Sequence, residues 1–503
     1  MKPGPLGLLL LLSIPLEMTA QTPTDVVTYS NSDRGVTTFG TTGGTGTNMR
    51  VGYARLRSAA GTSTPSGIAI FAFKANDILV SEAAIPLVRP IMSGRTYARV
   101  DGAVNTGIAI ANPNSEPVSI SFYLTDGITG NSFEQSSFVL ASGQQIASFL
   151  TDAPFKAPTP LSGTLTFNAS APVAVVALRG LTNERGEFLI TTQPVADLTD
   201  LSLRPTVIGH VADGGGWRTQ LVLVNTRDET VTGRVEFYND GRQGPYALPM
   251  GVTINGRFDS IFNFSIPARG SVQLETSGSE ETTRVGTARI LSGSSSSPSG
   301  FALFSFRNQG VVVTEGSVPA QSGVKGYGQP LTWAERTYVE TTGLPGQLNT
   351  IQTGIAVTNL SGSGGADVAF ELFNADGTAT GRKATIRVPL YGHISKYLTE
   401  IFPGIPLPFR GMVRVTAVSI PFTVTTFRTR YNERGDLLIA TIPIADEGSS
   451  YSSGDAYFPH IVDLGGYRTS FILFNGNPGQ PTSGRVEFVS QSGQPLPIPI
   501  ADR

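Results

Sequence analysis

An alternating internal repeat limits this chain more than any other feature. Residues 183–197 read NERGEFLITTQPVAD, and residues 432–446 read NERGDLLIATIPIAD. They belong to a longer correspondence. RTYARV at 95–100 matches RTYVET at 336–341, and TGIAIANPN at 106–114 matches TGIAVTNLS at 353–361. A second kind of module lies between these copies. Its HVADGGGWRTQLVLVN at 210–225 returns as HIVDLGGYRTSFILFN at 460–475, and GRVEF at 233–237 returns at 484–488. Its later half, at 285–307, has a counterpart much earlier, at 51–74. Such a chain is one supersecondary unit multiplied, each copy stacking on its neighbours.

The two kinds are themselves related. All four first halves carry a Thr, an apolar run and then an Asn: Asn112, Asn225, Asn359 and Asn475. Three continue with an Asp-Gly turn, at Asp126-Gly127, Asp240-Gly241 and Asp376-Gly377. All four second halves place a basic residue at a strand end (Lys74, Arg179, Arg307, Arg428) and then a proline (Pro86, Pro194, Pro319, Pro443). The resulting division is a half module of the second type at 21–93, a type-one module at 94–202 and a type-two module at 203–325. A type-one module at 326–450 and a half module at 451–503 complete it. The terminal halves add up to one module. They are expected to complete one sandwich, since a half-sandwich exposes an apolar face and open strand edges. Pairing within the chain would make a closed four-module ring; pairing between chains would make head-to-tail oligomers. An array that stops mid-repeat is the competing reading.

The dominant hydrophobic period is two. VSISFYL at 118–124, GTLTFNA at 163–169 and VRVTAV at 413–418 alternate apolar with polar or small residues, as half-buried strands do. With 58 glycines and 34 prolines, turn signals are frequent. IASFLTDAPF at 146–155 and ISKYLTEIFPG at 394–404 read as single helical turns between sheets. The fold class is therefore all-β, tandem antiparallel Ig- or fibronectin-like β-sandwich modules. An eight-bladed β-propeller, one blade per half module, is the alternative.

The N-terminal MKPGPLGLLLLLSIPLEMTA has the basic start, short apolar core and small-residue end of a secretory signal peptide, residues 1–20. Export normally permits disulfides, yet the chain has no cysteine, which excludes thiol redox chemistry and thiolate metal sites. Net charge is −2 with 15% charged residues, so no basic patch points to nucleic acid. No later apolar run is long enough to span a membrane.

Candidate chemistry is sparse. The histidines are His210, His393 and His460. His210 and His460 each precede an aspartate by three residues, Asp213 and Asp463. That spacing suits a metal or a proton relay, but lacks further ligands and reads as hydrogen bonding at a module junction. His393 aligns with Gln144 and reads as a turn residue. No GxSxG elbow is present, and the carboxylates are scattered at strand ends and turns. The Asp-Gly turns lack the ligand series of a calcium loop and read as hairpin turns requiring positive φ, with surface calcium left open. Trp217, matched by Tyr467, and Trp333 are the candidate sugar platforms; packing at a junction is the plainer role. The Glu-Arg pair of NERG, absent from the type-two hairpins, reads as an exposed ion pair contributing under about 1 kcal/mol, on longer tips that could touch a neighbouring module or a ligand.

The run NPNSEPVSISF at 112–122, the Asp-Gly turn and PVAVVALR at 172–179 resemble those of secreted bacterial proteins built from tandem Ig-like β-sandwich repeats of uncharacterised function. The resemblance implies a secreted, extracellular or cell-surface location, with the periplasm as a variant, and supplies no catalytic residues. No catalytic, metal or cofactor-binding residue is assigned, and ligand-binding residues are left unknown. The expected function is a non-catalytic scaffold or adhesion module. A carbohydrate- or polymer-binding accessory protein is the alternative, and a hydrolase is less favoured. Expected partners are other surface proteins or polysaccharide, with no nucleic acid.

Overall fold

A computed structural model describes residues 23–502 apart from 201–205, 243, 294–295, 323–331, 419, 448–452 and 478. The expected signal peptide lies outside the described residues. Each module is a pair of opposed antiparallel sheets. In the fourth, one sheet runs Ala379–Val388, Ala366–Asn374, Phe409–Val418, Thr332–Thr341, Ile444–Asp446, and the other His393–Tyr397, Ile351–Asn359, Phe422–Tyr431, Leu437–Ile442. Period-two patterning makes these strands. In Ala366–Asn374, Val368, Phe370 and Leu372 point into the core while Asp367 faces out. In the second module a single strand, Leu161–Thr182, runs through both sheets. Its sister in the fourth module is interrupted between Val418 and Phe422. The sheets form sandwiches, not propeller blades. Of the two stretches read as helical turns, only the second is one, at Leu398–Ile401; the first begins with the strand Gln145–Phe149. Among the described residues no helix is long and apolar enough to cross a membrane.

The closing module is built from both ends of the chain. Strand Val26–Asn31 pairs with Thr482–Ser490, from Val26 opposite Glu487 to Asn31 opposite Thr482. Strand Val36–Thr41 lies between Tyr467–Phe474 and Ile500–Asp502. Thr24 and Ile498 exchange backbone hydrogen bonds of 3.0 and 2.9 Å. Closure is thus within one chain, and the four modules form a ring.

The repeated residues shape each module in the same way. Asn112, Asn225, Asn359 and Asn475 are fully buried, and the side-chain amide of each donates to backbone carbonyls while its Oδ1 accepts the backbone N–H two residues on. Thr219 and Thr469 each bond both backbone groups of the facing strand, at Ala212 and Val462. These residues close the module's first half with their own buried amide and hydroxyl groups paired.

Two sets of contacts close the ring. On the inside, the sheet edges Ile78–Pro86, Phe188–Gln193, Val311–Pro319 and Leu437–Ile442 gather round one axis. Hydroxyls and amides join them: Thr192 Oγ1 to Ala84 O (2.7 Å), Thr441 Oγ1 to Ser317 O (2.6 Å), Ile439 N to Thr314 Oγ1 (3.0 Å), Asn432 Nδ2 to Leu79 O (2.8 Å). Four exposed edges are thereby covered. On the outside, a first-half turn of each module docks on the next. Ser271 N donates to Gly127 O, His393 N to Asp240 O, Val36 N to Ala375 O and Gln145 N to Gln491 O. The Asp-Gly turns are docking contacts as well as hairpins. Gly377 has φ +85°, and a Cβ there would lie 2.2 Å from Asp33 O of the neighbour. At Asp126-Gly127 the positive φ falls on Gly130 instead.

Candidate functional sites at the axis and the module junctions

The NERG tips meet at one end of the axis. Asn183 Oδ1 accepts the N–H of Arg185 and of Glu187, and Asn432 Oδ1 those of Arg434 and Asp436, so each asparagine shapes its own turn. The charged pair then leaves the module. Glu184 reaches the third module, taking Arg307 Nη1 at 2.6 Å and Val312 N at 2.9 Å. Glu433 reaches the closing module, taking Lys74 Nζ at 3.0 Å and Leu79 N at 2.8 Å. Arg185 bonds Asp436 at 2.7 Å and Arg434 pairs with Glu187 at 2.6 Å, joining the diagonal modules. Burial works against the charge of Glu184 and Glu433, but these N–H and cation contacts prevail and hold both below the usual carboxylate range. The longer tips thus touch neighbouring modules, and the exposed Glu-Arg pair is part of a clamp across all four modules. Its partners lie on type-two hairpins, where the motif itself is absent.

Deeper in, the basic strand ends are paired. Arg179 meets Glu315 at 2.9 Å, and Arg428 meets Glu340 at 2.7 Å and Glu82 at 3.5 Å, all nearly buried. The arginines of the two RTY stretches grip the next module. Arg95 Nη1 donates to Asn225 O at 2.7 Å; fully buried Arg336 donates to Asn475 O at 3.3 Å and to Asp33 at 3.0 Å. The signal for this was an arginine repeated at the same position of the two RTY strands.

The histidines occupy the other two junctions. His210 and His460 sit in β-bulges, after Gly209 and Pro459, that turn the ring out of its own sandwich. His210 Nδ1 lies 3.0 Å from His393 Nε2 of the fourth module, and His460 Nδ1 lies 3.3 Å from Gln145 Nε2 of the second. His393 is therefore not in a turn. It starts the strand His393–Tyr397, is fully buried, and occupies the position of Gln145 rather than Gln144. Desolvation pushes His210 and His460 down to about 4, and desolvation with the charges of His210 and Arg242 holds His393 well below its usual range. The aspartates of the His-x-x-Asp spacing point elsewhere. Asp213 accepts Gly278 N at 3.0 Å and Asp463 accepts Gly43 N at 3.1 Å, inside their own modules. Among the described residues no group of three His, Asp or Glu side chains is arranged to hold a metal.

Each histidine junction opens into a cleft. The larger, 370 Å³, is lined by Tyr467, Phe149, Phe188 and Asp152; its counterpart of 270 Å³ is lined by Trp217, Tyr397, Lys396 and Glu400. Tyr467 stacks on Phe73 with centroids 4.5 Å apart, and Trp217 packs on Phe306 at 4.8 Å. These aromatics thus pack within their own modules and line the junction clefts. Glu400 also accepts Tyr397 N at 2.7 Å, closing the single helical turn. The side chain of Trp333 lies outside the described residues.

No family model and no curated protein matches this chain. Solved structures compared with it include two of infectious bursal disease virus. One is the T13 viral particle, with 9% identity, 81% of this chain and 79% of that chain covered, and a TM-score of 0.10. The other is the VP2 subviral particle, with 9% identity, 81% and 82% covered, and a TM-score of 0.10. A likeness of that size carries no argument about this chain.

Proposed function

We propose that the chain is an exported, non-catalytic repeat protein that acts as an extracellular or cell-surface scaffold and adhesion module. The observation that carries this reading is the clamp at the axis. Arg185–Asp436, Arg434–Glu187, Glu184–Arg307 and Glu433–Lys74 spend charged groups on holding four modules in a fixed array. A rigid ring presents the loops at its sandwich ends at constant spacing, which suits multivalent attachment. The test uses the full chain, epitope-tagged in its producing cell. Antibody labelling of intact cells or recovery from the medium is expected, with the purified ring on beads retaining surface material. Confinement to the cytoplasm, or turnover across a broad set of glycosides and esters, would overturn it.

A second reading, polymer binding, is favoured by the matched clefts at Trp217 and Tyr467. Two like sites on one rigid body would engage a repeating polymer bivalently. On a polysaccharide panel, Trp217→Ala and Tyr467→Ala should each weaken retention by about two- to tenfold, and the double variant more than either. Unchanged retention in the double variant would leave the scaffold reading alone.

A further inference from the structure

At the end of the axis opposite the NERG clamp, the four repeat prolines Pro86, Pro194, Pro319 and Pro443 surround a largely apolar cavity of 630 Å³. The residue before each proline occupies one equivalent position, paired with the strand behind it as Ala69–Ile85, Ala177–Gln193, Ala302–Val318 and Thr426–Ile442. Three of the four are Ile or Val. The fourth, Gln193, is 2% exposed and its Nε2 has no hydrogen-bond partner. One position along the strand behind, the repeat has Ile68, Val176 and Phe301, but Thr425 in the fourth module. Thr425 is also 2% exposed, and its hydroxyl is also unpartnered. Gln321, on the same wall, donates its Nε2 to Val424 O at 3.0 Å and leaves Oε1 unpartnered.

Burying an unpaired amide or hydroxyl costs stability, and an aliphatic residue demonstrably fits at the Gln193 position in the other three modules. Two such departures from the repeat, on diagonal modules, put unpaired polar groups at the lining of one largely apolar cavity. The charged residues of the lining are one of each sign, Arg89 and Asp197, and Asp197 accepts the N–H and hydroxyl of Thr199. Neither sign is favoured. We infer that the axial cavity binds an uncharged amphiphile. Its apolar body would lie within the proline collar, and its hydroxyl or carboxamide head would pair with Gln193. The volume falls within the ordinary range of small-molecule sites.

The test uses the full chain with Nile red as probe, displaced by 1-hexadecanol or by hexadecane. The alcohol should displace the probe about tenfold better than the alkane, the worth of one buried hydrogen bond. Gln193→Leu should bring the two within about twofold while leaving thermal stability equal or higher, because no protein partner of Nε2 is lost. A purely structural glutamine would do the reverse, lowering stability and leaving the preference intact. Ala84→Trp, which fills the cavity, should abolish displacement by both, with circular dichroism confirming the fold. Failure of Nile red to bind, or an alcohol preference that survives Gln193→Leu, would overturn the inference.

Discussion

Between the third and fourth modules, neutral His210 and His393 meet at 3.0 Å, and Ala356, Phe427 and Ile439 of the fourth module belong to the third module's own core. Between the fourth and closing modules, fully buried Arg336 reaches across to Asp33 and Asn475, and a separate apolar cluster around Tyr338, Met412 and Ile472 seals the contact. The same alternation holds on the other half of the ring, with His460 and Gln145 at one junction and Arg95 and Asn225 at the next. A type-two module uses a bulge to offer an uncharged ring to its successor, so the cores merge. A type-one module uses a straight strand to offer a cation, so the cores stay apart. Alternating module types thus alternate junction chemistry, and the two kinds should fail under different stresses.

Removing the cation should have the largest effect. Arg336→Ala leaves a cavity, a largely buried Glu447 with one cation fewer and an Asn475 carbonyl without this donor. A loss of about 3–5 kcal/mol in urea unfolding is expected, the usual result of breaking a buried pair from one side. Arg336→Met, which keeps the volume, should lose less. A loss under about 1 kcal/mol in Arg336→Ala would mean that the apolar cluster holds this junction alone.

The sandwich class and the complementarity of the terminal halves were legible because both rest on patterns along the chain. Period-two strands such as Ala366–Asn374 mark a face, and the repeat marks which half is missing. The junction chemistry was not legible. Glu184 and Glu433 bond Val312 and Leu79, which local sequence places in hairpins lacking the motif, so comparing hairpins letter by letter hid the contact. His393 aligned with Gln144 and so looked like a turn residue, yet register puts it opposite Thr358, facing a histidine 183 positions away. Gln193 could have been noticed, since Ile85, Val318 and Ile442 stand at its three equivalents. Its lack of a partner appears only when the four edges are brought to one axis.

Acid should single out the histidine junctions. Folding lowers His210 and His460 from 6.5 to about 4, so the folded state prefers them neutral while the unfolded chain charges them. Their contribution is fully present above pH 6.5 and is lost as pH falls from there toward 4. Both rings are partly exposed, so about 1–2 kcal/mol each is expected over that window, less than the shift alone would give. The repeat supplies its own control. Gln145 already serves at the position of His393, so His393→Gln should keep the third–fourth junction and reduce the acid loss. Melting temperatures between pH 7 and 4.5 that fall equally in wild type and His393→Gln would leave His393 no share in the acid loss.

The clamp at the axis tip should give the smallest global effect and the most local one. Arg185 and Arg434 are about one-third exposed, so Arg185→Ala and Arg434→Ala should each cost under about 1 kcal/mol. Glu433→Ala is more informative, because Glu433 Oε2 also holds the Leu79 N–H at 2.8 Å on the closing module's axial strand. Without it, that amide has lost its acceptor while the rest of the strand Ile78–Pro86 keeps its pairing to Ser66–Ala75. Hydrogen exchange should therefore speed up at Leu79 and its immediate neighbours in Glu433→Ala, and at Val312 in Glu184→Ala, with the sandwich cores unchanged. Faster exchange along the whole of Ile78–Pro86 would instead mean that the tip clamp governs opening of the fourth–closing junction. The charged contacts of that junction would then act as one cooperative unit from the tip to Arg336.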